Sequence, residues 1–90
     1  MVPVGAASAA TPAMTHHTLD ARNLLCPMPV IRAQNRVAEL APGDTLEVHA
    51  TDPGAMHDIP SWARMHGHEV MESRMDGREA IITVRVGPKA

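Results

Sequence analysis

Ninety residues with one cysteine, one tryptophan and neither tyrosine nor phenylalanine leave room for one small domain whose core must be aliphatic and methionine-rich; a chain this short buries only about 60% of its unfolded surface. Eight basic residues against ten acidic ones give a formal net charge of -2, and no Lys/Arg run exists to neutralise a row of phosphates or an anionic membrane. Direct nucleic-acid binding, base stacking and membrane attachment are therefore excluded, which leaves proteins or small molecules as partners.

A lone cysteine forms no intramolecular disulfide, and a free thiol belongs in a reducing compartment, which points to the cytoplasm. Residues 1–15 (MVPVGAASAATPAMT) are Ala- and Pro-rich and uncharged, without an apolar run long enough for a signal peptide or a membrane span. They read as a disordered tail ahead of one domain over residues 16–88, with Met14 as an alternative start.

Thr18 to Ala21, with Leu19 and Ala21 on one side, reads as a short edge strand. Cys26-Pro27-Met28-Pro29 then precedes Val30, Ala33, Val37 and Leu40, which recur at helical spacing while Arg32, Asn35, Arg36 and Glu39 face elsewhere. That is an amphipathic helix, and Pro42-Gly43-Asp44 turns the chain after it. Leu46, Val48 and Ala50 alternate with Glu47, His49 and Thr51, the period of a strand with one face buried.

Asp52-Pro53 suggests a helix capped by Asp52 with Pro53 at its first position, running to His66 with Met56, Ile59, Ala63 and Trp62 toward the core. Pro60 inside that helix predicts a kink or a restart near Asp58, and Gly67 stands where a left-handed cap belongs. Val70 to Met75 and Arg78 to Val86 flank Asp76-Gly77, the signature of a two-residue hairpin turn. Ala80, Ile82, Val84 and Val86 share one face of the last strand; Ile81, Thr83 and Arg85 share the other. The resulting order is β-α-β-α-β-β: an α+β, two-layer α/β sandwich with a mixed four-stranded sheet and two helices on one face.

Chemistry concentrates at Cys26. A residue before proline is pushed toward extended geometry, which makes Cys26 the expected N-cap. There the sulfur lies near the positive end of the helix dipole, where thiolate is favoured. Pro27 and Pro29 lack N–H groups, so the Met28 amide is the one donor among the first three positions. The field of one helix end is small, so the isolated protein is not expected to be a potent nucleophile unless Arg22, Arg32 or a partner's cation adds to it. An inert buried residue is the commoner fate of a lone cysteine, but a structural cysteine has no need to open a helix at Pro-x-Pro.

Leu19-Asp20-Ala21, Leu25-Cys26-Pro27-Met28-Pro29-Val30, Pro42-Gly43-Asp44, Thr51-Asp52-Pro53, Asp58-Ile59-Pro60 and Gly67-His68-Glu69 together resemble the TusA-type sulfur carrier family, also called SirA-like or YeeD-like. The resemblance covers residues 18–86. It implies a small cytoplasmic carrier, acting as a sulfurtransferase with partner enzymes, that accepts persulfide sulfur from a cysteine desulfurase or rhodanese-like donor. The sulfur then passes to a downstream acceptor protein in tRNA thiolation, cofactor biosynthesis or sulfur oxidation. By the same resemblance Cys26 carries the sulfur, and Asp52 belongs to the surface that partners read, with Pro27, Met28, Pro29 and Arg32 around the thiol. Some relatives have a second cysteine in the Asp58-Ile59-Pro60 helix; this chain has Ser61-Trp62-Ala63 there, so a mechanism needing two thiols in one chain is not expected.

The chain is read as a monomer without cofactor. Its six histidines lack zinc-site spacing and read as solvated, so no metal is expected. No paired carboxylates, Gly-rich phosphate loop or Ser/His/Asp arrangement appears. Two other readings use the same residues: a non-catalytic protein-interaction or regulatory module in which Cys26 merely caps a helix, and a thiol redox sensor.

Overall fold

The computed structural model describes residues 15–88; the first fourteen residues of the expected tail lie outside them. Strand β1 (His16–Ala21) leads to helix α1 (Met28–Val37), strand β2 (Thr45–Ala50), helix α2 (Ala55–Met65) and the hairpin of β3 (Glu69–Asp76) and β4 (Glu79–Arg85). The sheet order is β1-β2-β4-β3. β1 runs parallel to β2, and β4 is antiparallel to both β2 and β3. This is the two-layer α+β sandwich expected from the sequence, with a mixed four-stranded sheet and both helices on one face.

β1 is two residues longer than its apolar pattern suggested. Its first residues, His16 and His17, are polar and pair by register with Thr45 and Leu46. Thr15 continues the ladder, its carbonyl accepting from the Thr45 amide at 3.0 Å.

Three cross-strand rows build the face under the helices. Leu46 and Val84 lie in register in one, and Val48 and Ile82 in the next, all fully buried. Ala21, Ala50 and Ala80 form the third, at the end where the chain leaves β1 and β2. Residues this small let a layer above come close to the sheet. Ala33, Val37, Ile59, Trp62 and Ala63 close the same core from the helices.

α2 ends in a paired cap. The Gly67 amide donates to Arg64 and the His68 amide to Ala63 at 2.8 Å, with Gly67 at φ +80°, the left-handed residue such a motif requires. Gly87 is constrained differently: a Cβ there would lie 1.9 Å from the Gly67 carbonyl oxygen, so no side chain fits where the end of β4 passes that cap.

Three local expectations shift. α2 begins at Ala55 with Gly54 as N-cap and no side-chain cap bond, because Asp52 and Pro53 form the turn that leads in, where the Ala55 amide donates to the Asp52 carbonyl at 3.0 Å. The helix does not restart near Asp58; it runs continuously across the buried Pro60. The hairpin loop is Gly77-Arg78, since Asp76 pairs with Glu79, and Gly77 at φ +65° takes the first loop position, as a type II′ turn requires.

The open face of the sheet is less solvated than its alternation suggested. Ile81 is 3% exposed, and the His49 side chain lies between two carboxylates, Nδ1 to Glu79 at 2.7 Å and Nε2 to Glu47 at 2.5 Å. The Arg22 guanidinium joins them, with Nε at 2.8 Å from Glu79. The hydrogen bond to Glu79, helped by Glu47 and opposed by desolvation, raises the His49 pKa above its ordinary 6.5. Bonds from Arg22 and then His49 hold Glu79 at about 2.

The raised histidine stabilises the fold fully below about pH 6.5, and that contribution is lost as pH rises through its folded value. The depressed Glu79 stabilises the fold above its ordinary 4.5, and that contribution is lost as pH falls toward 2. The cluster therefore supports the fold best between about pH 4.5 and 6.5. The urea midpoint is expected to fall between pH 5.5 and 8.5, and His49→Gln to shrink that fall; an equal fall in both chains would contradict the assignment.

Candidate functional site

The loop between β1 and α1 carries Cys26 and is tied to the loop that follows β2. Arg22 turns back on Asp20 through its amide at 3.0 Å. Asn23 takes φ +64°, a conformation asparagine tolerates better than most residues, and its amide donates to Thr51 Oγ1 at 2.8 Å. The Cys26 amide donates to Asp52 Oδ2 at 3.0 Å. Neighbouring side chains at the end of β2 thus anchor the backbone that presents the sulfur.

Cys26 is not the N-cap. The Met28 amide donates to the Leu25 carbonyl at 2.8 Å, closing a turn around the cis Cys26–Pro27 peptide, so the helix starts at Met28 with Pro27 as its cap residue. That bond takes up the amide expected to face the sulfur. The thiol is exposed and donates instead to Asp58 Oδ2, in the first turn of α2, at 3.2 Å.

The electrostatic expectation reverses with it. The Cys26 pKa is raised from its ordinary value, first by the bond to Asp58, then by partial desolvation and by the charges of Asp58 and Asp52. Among the described residues no cation offsets them. Arg22 is engaged with Glu79 and Asp20 on the open face of the sheet, and Arg32 is exposed on α1 with no recorded bond to the thiol.

The other predicted site residues divide by burial. Pro29 is fully buried and supports the helix from beneath. Pro27 and Arg32 are exposed, and Leu25, Met28 and Ile31, which flank Cys26 along the chain, leave apolar surface exposed, with Leu25 at 76% exposure. Asp52 is half-buried and holds the Cys26 backbone rather than capping α2.

Asn23, Thr51 and Asp58 are the site residues whose part sequence reasoning missed. The Thr51-Asp52-Pro53 and Asp58-Ile59-Pro60 motifs contained the signal for two of them. Among the described residues no group of His, Cys, Asp or Glu is arranged to hold a metal ion, and no helix is long and apolar enough to cross a membrane.

An exposed cysteine whose thiol is bonded to one carboxylate and whose backbone amide is bonded to another, at the mouth of a proline-flanked helix, coincides with a family match: the profile described as Sulfurtransferase TusA aligns with residues 17–86. The chain belongs to the TusA family. The sulfur carrier protein TusA of Pseudomonas aeruginosa is 41% identical over 75 residues, covering 80% of this chain and 95% of that protein. The TusA sulfur carrier protein of Allochromatium vinosum is 42% identical over 59 residues, 66% of this chain and 78% of the relative. Among solved structures, a SirA-like protein from Desulfitobacterium hafniense superposes with a TM-score of 0.70 at 27% identity, covering 80% of this chain and 99% of that one. The TusA-family match spans both loops and the helix turn that make the site, since Cys26, Asp52 and Asp58 all fall within residues 17–86.

Proposed function

We propose that this chain is a sulfur carrier that holds sulfane sulfur as a persulfide on Cys26. The observation that carries the reading is the exposed Cys26 sulfur, presented at the start of α1 by a backbone fixed to Asp52 in a chain of the TusA family. A cysteine desulfurase or rhodanese-like protein supplies the sulfur, and an acceptor protein takes it toward tRNA thiolation, cofactor biosynthesis or sulfur oxidation. Transfer is shared with these partner enzymes, in the cytoplasm, by a monomeric carrier.

Loading is an exchange between thiol and persulfide. Cys26 gives up its proton and its sulfur bonds to the outer sulfur of the donor persulfide. The donor S–S bond breaks, and the donor cysteine leaves as a thiolate that takes up a proton. Exposed Leu25, Met28 and Ile31, with Arg32 beside them, form the surface on which a donor or acceptor rests.

A redox-sensor role calls for a thiol with depressed pKa, and the shift at Cys26 runs the other way. Incubation with a cysteine desulfurase and cysteine, followed by mass spectrometry of the intact chain, is expected to show a gain of one sulfur that is absent in Cys26→Ala. A gain that persists in Cys26→Ala overturns the reading.

A further inference from the structure

Cys26 and Asp58 lie 32 positions apart and meet because the loop before α1 is tied down over the first turn of α2. One carboxylate fixes the backbone of Cys26, and a second, from another element, takes the proton on its sulfur. A thiolate there would face that carboxylate at about the same separation. The charged groups that act on the sulfur are Asp58 of α2 and Asp52 of the loop before it, both in the same direction, and no guanidinium or imidazole is among them. Among the described residues, the ion pairs engage other carboxylates and leave Asp52 and Asp58 without a cation.

Resting on the reading of Cys26 as the sulfur-bearing residue, we infer that Asp58 is a positioning residue that holds the proton on the empty carrier's sulfur and has no equivalent hold on the loaded one. In the loaded form Cys26 Sγ is bonded to a second sulfur and has no proton to donate. The outer, reactive sulfur stands about 2 Å further from the chain. The bond to Asp58 therefore exists in only one of the two forms.

Loading breaks this bond. The Sγ proton leaves, Sγ bonds to the donor's outer sulfur, and the donor's S–S bond breaks with its electron pair on the donor cysteine, which takes up one proton. On discharge an acceptor thiolate bonds to the outer sulfur, the Sγ–S bond breaks with its pair on Sγ, and Sγ regains a proton that again faces Asp58. Neither exchange changes the total number of electrons. Asp58 thus keeps the empty thiol a poor nucleophile in solution and guards it from oxidants, since the thiolate is the species that reacts. It also favours the discharged form over the loaded one.

The single cysteine makes the test direct, because thiol alkylation, read as modification mapped to Cys26, has one possible site. The rate of reaction of the 90-residue chain with iodoacetamide, measured from pH 6 to 10.5, gives the midpoint of thiol ionisation. Asp58→Asn is expected to lower that midpoint and to speed alkylation several-fold at pH 7.5, with the fold confirmed by circular dichroism and melting. Asp52→Asn is expected to move it less, since its charge is the smallest of the influences on the sulfur. Asp58→Ser serves if the asparagine variant folds poorly. Well-folded Asp58 variants with the wild-type midpoint overturn the inference. Alkylation needs no sulfur donor, so the two readings fail separately. A wild-type chain that takes up no sulfur sinks the carrier reading, whereas a chain that loads normally while its Asp58 variants keep the native midpoint sinks the role of Asp58.

Discussion

A Cys26→Ser chain is expected to fold and melt as the native chain does and to give no rescue in a strain whose own gene is deleted. The side chain is exposed, and its recorded bond is the one it donates to Asp58. A serine hydroxyl donates to the same carboxylate at least as well, because O–H is a stronger donor than S–H. The anchor to Asp52 runs through the backbone amide and survives the substitution. What is lost is the chemistry: a hydroxyl stays protonated at neutral pH and has no persulfide form. Stability and function should therefore separate completely at this position. Full rescue by the serine chain would make the protein an interaction module whose cysteine is incidental.

The elements of the fold were legible because each rests on local pattern. Leu46, Val48 and Ala50 alternate as a half-buried strand must, Ala33 and Val37 continue a helical stripe, and Gly67 marks the left-handed end of α2. All of these positions behave as their spacing requires. The turn residues were harder. Asp52-Pro53 has the form of a cap followed by a first helical residue, yet the Asp52 carboxylate is drawn away by the Cys26 amide 26 positions earlier, a tertiary competitor that no local pattern reveals.

The same limit governs the site. Cys26 stood out through its prolines, but whether its sulfur meets a helix end or a carboxylate depends on how α2 is set beside α1. That relation fixes Asp58 against the thiol, and it turned an expected preference for thiolate into a preference for the protonated form. His49 is a parallel case: its alternation marks it as an open-face residue, whereas pairing opposite Ile81 sets Glu79 diagonally across from it and makes it part of a charged cluster.

Leu46→Ala is expected to produce the largest loss of stability among the substitutions considered, about 2–5 kcal/mol. Leu46 is fully buried on a central strand, in register with His17 on one side and Val84 on the other, so hydrogen-bonded backbone flanks it and the hole left by truncation cannot close easily. A chain of this length has a stability of only about 5–13 kcal/mol, so the change removes a large share of it. The urea midpoint should drop by more than about 1 M with little change in slope. The position also tests how far the site is independent of the core. Leu46 is the second residue of β2, at the end near the Pro42-Gly43-Asp44 turn, four residues before Ala50 and the Thr51–Asp52 anchors, so the folded fraction should still take up one sulfur on Cys26. A smaller core side chain that abolished loading in folded protein would mean that the anchors depend on packing along the whole strand, and a drop well below 2 kcal/mol would mean that the helices settle into the space.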